Sequence, residues 1–198
     1  MVLARLIRRL KIILAITETR DIARRYFSLQ VMDGAIVGIG LVFGLHISGP
    51  HPGHVIARSV SAVMIAMVIS GVTGAVISEK AEQEARIKRL EMATLTALKN
   101  TLHTRVSFPA IFLVAMVNGL SAIGALFLVS LPYLAYTYTS GPLELGIAAS
   151  FLTCITLLLA TGVVVGKAAG IGTLSTSLLT VAAGSLAALL IIIVELLF

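Results

Sequence analysis

Apolar residues run along this chain in five long blocks, separated by short polar or turn-rich stretches. The blocks cover about residues 26–47, 55–78, 108–131, 145–166 and 178–198. A helix needs roughly 20 apolar residues to cross about 30 Å of hydrocarbon, and each block meets that need. A bilayer core offers no water to unpaired backbone groups, so blocks of this length read as helices. The pattern predicts an all-α membrane protein with five transmembrane helices.

The polar stretches complete the plan. In residues 2–16, Leu3, Leu6, Ile7, Leu10, Ile13 and Leu14 recur at helical spacing while Arg5, Arg8, Arg9 and Lys11 mostly take other faces. That arrangement predicts an N-terminal interfacial helix lying in the headgroup plane. Glu18, Arg20, Asp21, Arg24 and Arg25 read as a polar connection, so residues 1–25 form a basic N-terminal unit and 26–198 the membrane domain. HISGPHPGH, from His46 to His54, forces a turn between the first two spans. From Ala75 to Ser107 there is neither Gly nor Pro, so the second helix is expected to run on into water over 79–107. Glu82 with Arg86 and Glu84 with Lys88 have the four-residue spacing that supports such a helix. Pro109 stands near the start of the third span, and LPYLAYTYTSGP at its end supplies interfacial tyrosines and turn residues.

Composition agrees. Of 198 residues 58% are hydrophobic and 12% charged, where soluble domains carry about a quarter charged. The net charge of +6 does not point to nucleic acid, because the basic residues stand just outside the apolar blocks, beside lipid headgroups. With the N-terminus inside and five crossings, every Lys and Arg except Arg58 falls on the cytosolic side. The C-terminus is then outside, and Arg58 is near enough to a helix end to snorkel. The single cysteine, Cys154, excludes an intrachain disulfide and reads as apolar filler. The first apolar residues are interleaved with arginines, so no cleavable signal peptide is expected.

Asp33 is the most informative residue. A carboxylate within a span is costly and normally faces a partner, a cavity or a transported ion. It lies about two turns, roughly 10 Å, from the cytosolic edge. The plainer account pairs it with Arg24 or Arg25, or lets it snorkel to the surface. Gly34, Gly38, Gly40 and Gly44 follow on the same helix; such small residues let helices approach closely and leave room for an ion. Gly162, Gly166 and Gly170 form a second ladder, read as packing. Met32, Met64 and Met67 offer thioether sulfur to a soft or borderline metal. Met67 is the best placed, sharing a face with Ser70, Gly71 and Gly74, although methionine in an apolar helix more often packs. Glu79, Glu82, Glu84, Glu91 and Met92 gather on the extension, where oxygen ligands suit divalent cations and a solvated face is the plainer reading. His46, His51 and His54 at the outer turn are either an exposed polar loop or an exit site for metal.

Enzymatic signatures are scarce. There is no Walker motif, CxxC or HExxH, and the only aspartates are Asp21 and Asp33. DGAIVGIG begins like the motif of membrane enzymes that transfer phosphoalcohols, but the Ala-Arg pair and two further aspartates of that motif are missing. No enzyme and no permanently bound cofactor are expected.

VMDGAIVGIGLVFG on the first span, SGVTGAVISEKAEQE on the second, SFPAIFLVAMVNGLSAIGALFLVSLPYLA on the third and GTLSTSLLTVAAGSLAALL on the last together resemble the vacuolar iron transporter family. The likeness covers nearly everything after residue 21. It implies a homodimer that exports Fe²⁺ or Mn²⁺ from the cytosol in exchange for protons, along a path at the dimer interface lined by the first two helices. Asp33 matches the intramembrane metal-binding aspartate. Glu79, Glu82 and Glu91 with Met92 match the cytosolic residues that collect metal. The family's second-span methionine falls at about Gly74, so Met67 is the candidate substitute, and Ser70 stands where the family has aspartate. The segment 79–107 is shorter than the glutamate-rich domain of the plant members. Its length fits a member in a prokaryotic plasma membrane. The alternatives are a lipid-binding scaffold that does not transport, or a transporter of a small organic or anionic solute.

Overall fold

The computed structural model describes residues 19–49, 51–95, 102–139 and 141–197. Among them the chain is all-helical: α1 (Thr19–Ile47), α2 (Gly53–Thr94), α3 (Leu102–Tyr138), α4 (Leu143–Ala169) and α5 (Thr173–Leu197). All five are long and apolar enough to cross a membrane. The expected amphipathic helix over 2–16 lies outside the described residues, as do residues 96–101 of the segment after the second span.

Helix ends extend past the apolar blocks, most clearly in α2, where a run rich in Glu, Lys, Arg and Ala, all good helix formers, continues the helix beyond Ser78. Residues 19–25, expected as a connection, are the first two turns of α1, with Asp21 in its first turn where it complements the helix dipole. The 42 residues of α2 span about 63 Å at 1.5 Å each, roughly twice the hydrocarbon thickness. Pro132 removes one backbone donor but does not end α3. The helix runs on to Tyr138, and the Gly141 N–H then closes the turn on the Tyr136 carbonyl at 3.0 Å. Gly170 ends α4 in the left-handed conformation, φ 67°, with its N–H on the Gly166 carbonyl. That is a C-cap that glycine adopts without a Cβ penalty.

α3 is the centre of the bundle. It packs on α1, α2 and α4, while α5 packs mainly on α4 and α1, and α1 scarcely touches α2. Gly34 lies against Ala122 and Ala125 and Gly38 against Leu126 and Val129, so α1 and α3 run parallel. Gly71 beside Asn118 and Gly53 beside Tyr138 set α2 antiparallel to α3. Gly162 and Gly166 seat α5 through Ser177 and Thr173. Thr176 and Thr180 of α5 donate to the Gly162 and Leu158 carbonyls at 2.9 Å each. In lipid the apolar effect adds little between helices, so close glycine contacts and such hydroxyl bonds hold them together.

Two apolar clusters fill the interior. One joins Ala35, Ile39, Val129, Cys154 and Leu158, with Met32 against its edge. The other joins Val42, Ile56, Val60, Leu126 and Tyr133, with Met64 and Met67 against it. Cys154 is buried and donates weakly from Sγ to the Ala35 carbonyl at 3.5 Å. The perimeter carries exposed Ile65, Ile69, Leu152 and Leu179, the surface expected of a bundle that meets acyl chains.

Candidate functional site

Because α1 and α2 each lean on α3 and not on each other, a cleft of about 790 Å³ opens between them. α1 contributes Tyr26, Gln30, Asp33 and Val37 to its walls. From α2 come Val63, Ala66, Met67, Ser70, Gly71, Gly74, Ala75 and Ser78, a stripe with the three- and four-residue spacing of one helix face. Asn118 of α3 forms part of its lining. Five residues singled out in the sequence therefore meet in one cleft: Asp33, Met67, Ser70, Gly71 and Gly74.

The direction in which Asp33 points follows from its neighbours. Gly34 and Gly38 face α3 and are buried, so Asp33, one residue earlier, is rotated about 100° away, toward the cleft. The two glycines thus serve helix contact and do not border the cleft. Neither arginine neutralises Asp33. Arg24 lies 3.3 Å from Asp21, and the Arg25 guanidinium stands 5.7 Å over the Tyr26 ring. Among the described residues Asp33 has no ion pair. The carboxylate is exposed within an apolar span, open to a ligand from the cleft.

Below Ser78 the glutamates diverge. Glu82 continues the stripe that lines the cleft and is exposed. Glu79 follows Gly71 and Ala75 at four-residue steps on the buried face of α2 and is 6% exposed. Glu91 is half-buried and Met92 exposed, about 15 Å further along the axis than Glu82. Among the described residues no three His, Cys, Asp or Glu side chains are grouped to hold one metal ion. One chain thus presents a carboxylate in a cleft and separate glutamates beyond its end.

The outer histidines do not converge either. His46 packs edge-on against Tyr133 at 6.2 Å, and His54 is exposed at the start of α2.

Asn118 and Gln30 complete the polar lining, and sequence reasoning passed over both. A neutral amide inside a span carries no charge to draw the eye. Asn118 is nevertheless 4% exposed, and its Nδ2 donates to the Gly71 carbonyl at 2.7 Å. The signal available beforehand was a strongly polar group in an otherwise apolar block, which requires a partner.

No protein-family model, no curated protein and no solved structure matches the chain.

Proposed function

We propose that the protein is an integral membrane transporter that exports a divalent transition metal, Fe²⁺ or Mn²⁺, in exchange for protons. The observation that carries this reading is the unpaired Asp33 carboxylate in the cleft between α1 and α2, together with Met67, Ser70 and Asn118. An anionic oxygen, a thioether, a hydroxyl and a carboxamide suit a divalent ion between hard and soft. Gly74 leaves room in the cleft, since a β-carbon there would meet open space.

The basic residues outside the spans favour a cytosolic N-terminus and an external C-terminus. On that orientation the part of α2 beyond Ser78 stands in the cytosol. The exposed Glu82, with Glu91 further along α2, draws cations toward the inner end of the cleft, and Met92 beside Glu91 offers a thioether. Asp33 holds the ion within the membrane, and protonation of Asp33 from the outer side releases it. A second copy of the chain closes the open flank of the cleft and brings a second Asp33, giving a homodimer in a prokaryotic plasma membrane. The resemblance of the four spans to the vacuolar iron transporter family supports the same reading.

The test uses purified protein in liposomes with a proton-sensitive dye inside. Metal-dependent proton flux is expected for the native chain and is abolished in Asp33→Asn. Native flux in that variant removes Asp33 from the path. Calorimetric titration with Fe²⁺, Mn²⁺, Zn²⁺ and Mg²⁺ tests the cargo. Absence of saturable binding at micromolar metal favours a lipid-binding scaffold or a non-metal solute.

A further inference from the structure

The geometry points to Asn118 as an oxygen ligand for the cation, supplied by α3 to the cleft that Asp33 also lines. This inference rests on the divalent-cation reading above and names a donor that the two flanking helices do not provide.

The amide of Asn118 has two unlike ends, and the structure assigns them. The Gly71 carbonyl can only accept, so the nitrogen must be the atom that faces it at 2.7 Å. The oxygen is thereby turned to the other side. There Oδ1 is buried and has no hydrogen-bond partner. A buried acceptor left unpaired is disfavoured, and native structures retain few of them. The nitrogen of Asn118 is thus engaged, and its oxygen is left for another partner.

The surroundings say what kind of partner fits. A β-carbon on Gly71 would lie 3.3 Å from Gln30 Nε2 and 3.4 Å from Asn118 Nδ2, so the two carboxamides gather at one point of α2. Gln30 is three residues before Asp33, hence on the same side of α1, and lines the same cleft. Asp33, Ser70, Gln30 and Asn118 therefore bring oxygen-bearing side chains from three helices, with Met67 the one sulfur among the lining residues. A carboxamide oxygen is a hard, neutral donor of the kind that Mn²⁺ accepts readily. Being neutral, it adds affinity without adding charge, so control of release stays with Asp33. The absence of a side chain at Gly71 lets α3 present its amide through the wall that α2 forms.

Full-length purified protein is titrated with Mn²⁺ and, on the same sample, with the softer Cd²⁺. Asn118→Ala is expected to weaken Mn²⁺ binding about tenfold and Cd²⁺ binding much less. The ratio of the two is insensitive to any inactive fraction. Asn118→Asp restores an oxygen but not the donor to Gly71, so it recovers Mn²⁺ binding if Asn118 is a ligand. It stays as weak as Asn118→Ala if the residue only braces α2. Equal losses for both metals, or no recovery in Asn118→Asp, overturn the inference while leaving the transport reading intact. Failure of the native chain to bind either metal overturns both.

One measurement needs no change at the site. The chain has two asparagines, Asn100 and Asn118. With Asn100→Ser and side-chain ¹³C-labelled asparagine, Mn²⁺ is expected to shift the single labelled carbonyl band in the infrared difference spectrum. An unmoved band at saturating Mn²⁺ contradicts direct ligation.

Discussion

Gly34 presses on Ala122 so closely that a β-carbon on the former would run into the carbonyl oxygen of the latter. The contact is backbone to backbone, so no rotamer change can relieve it. It also sets the rotation of α1, and with it the direction of Asp33.

Gly34→Ala is therefore expected to force α1 off α3 and to destabilise the protein by about 1–3 kcal/mol, the usual range for overpacking. Thermal unfolding in detergent checks this. Gly44→Ala is the control, since a β-carbon there meets nothing within 4 Å. Its effect should be neutral or slightly stabilising, because alanine is the better helix former. Equal losses in the two variants would show that the α1–α3 contact does not have this tightness.

The seam between α4 and α5 gives a graded version of the same test. A β-carbon at Gly162 would meet the backbone of Ser177, whereas one at Gly184 would meet the end of the Leu158 side chain. A leucine terminus can move and a backbone cannot. Gly162→Ala should accordingly lower the melting temperature more than Gly184→Ala. The reverse order would contradict the register of these helices.

Much of this architecture was legible beforehand, and the reasons are physical. Each span must supply its own apolar length, so five blocks gave five helices. The ends were less legible, as at Thr19 and Tyr138, because the apolar pattern marks the membrane-buried part of a helix and not where its backbone hydrogen bonding stops. Asp33 announced itself by the cost of a carboxylate in lipid. Arg24 and Arg25 stand eight or nine residues earlier on the same helix, about 12–13 Å along its axis, and meet Asp21 and Tyr26 instead. Glu79 and Glu82 looked equivalent along the chain, but one turns toward the bundle and the other to the surface. Asn118 was the least legible, since its role rests on a carbonyl 47 residues away.

Orientation can be read by labelling. Ser48 and Ala93 are exposed at opposite ends of α1 and α2. A membrane-impermeant maleimide should label Ser48→Cys in intact cells and Ala93→Cys only after permeabilisation. The native Cys154 is buried and should stay silent in both. The opposite pattern would invert the topology and make the glutamates of α2 external.

The proposed homodimer predicts proximity across the cleft. Ala66 is exposed on the α2 face that lines it, whereas Leu152 is exposed on α4, away from it. Under mild oxidation in membranes, Ala66→Cys should form a disulfide-linked dimer and Leu152→Cys should not. Random collision would link both alike, and that outcome would remove the second copy from the proposed path.

Met67 separates packing from ligation. Its side chain packs against the cluster around Leu126 and Tyr133 and also lines the cleft. Met67→Leu conserves volume, so a purely packing role predicts a cost below about 1.5 kcal/mol and unchanged metal preference. If the sulfur touches the cation, the same variant should lose Cd²⁺ affinity more than Mn²⁺ affinity, since thioethers favour softer ions. That is the opposite direction to the shift expected for Asn118→Ala. Measured side by side, the two variants show whether α2 and α3 supply unlike donors to one ion. A shift in the same direction for both would mean that at least one of the two side chains does not set the preference by its own chemistry.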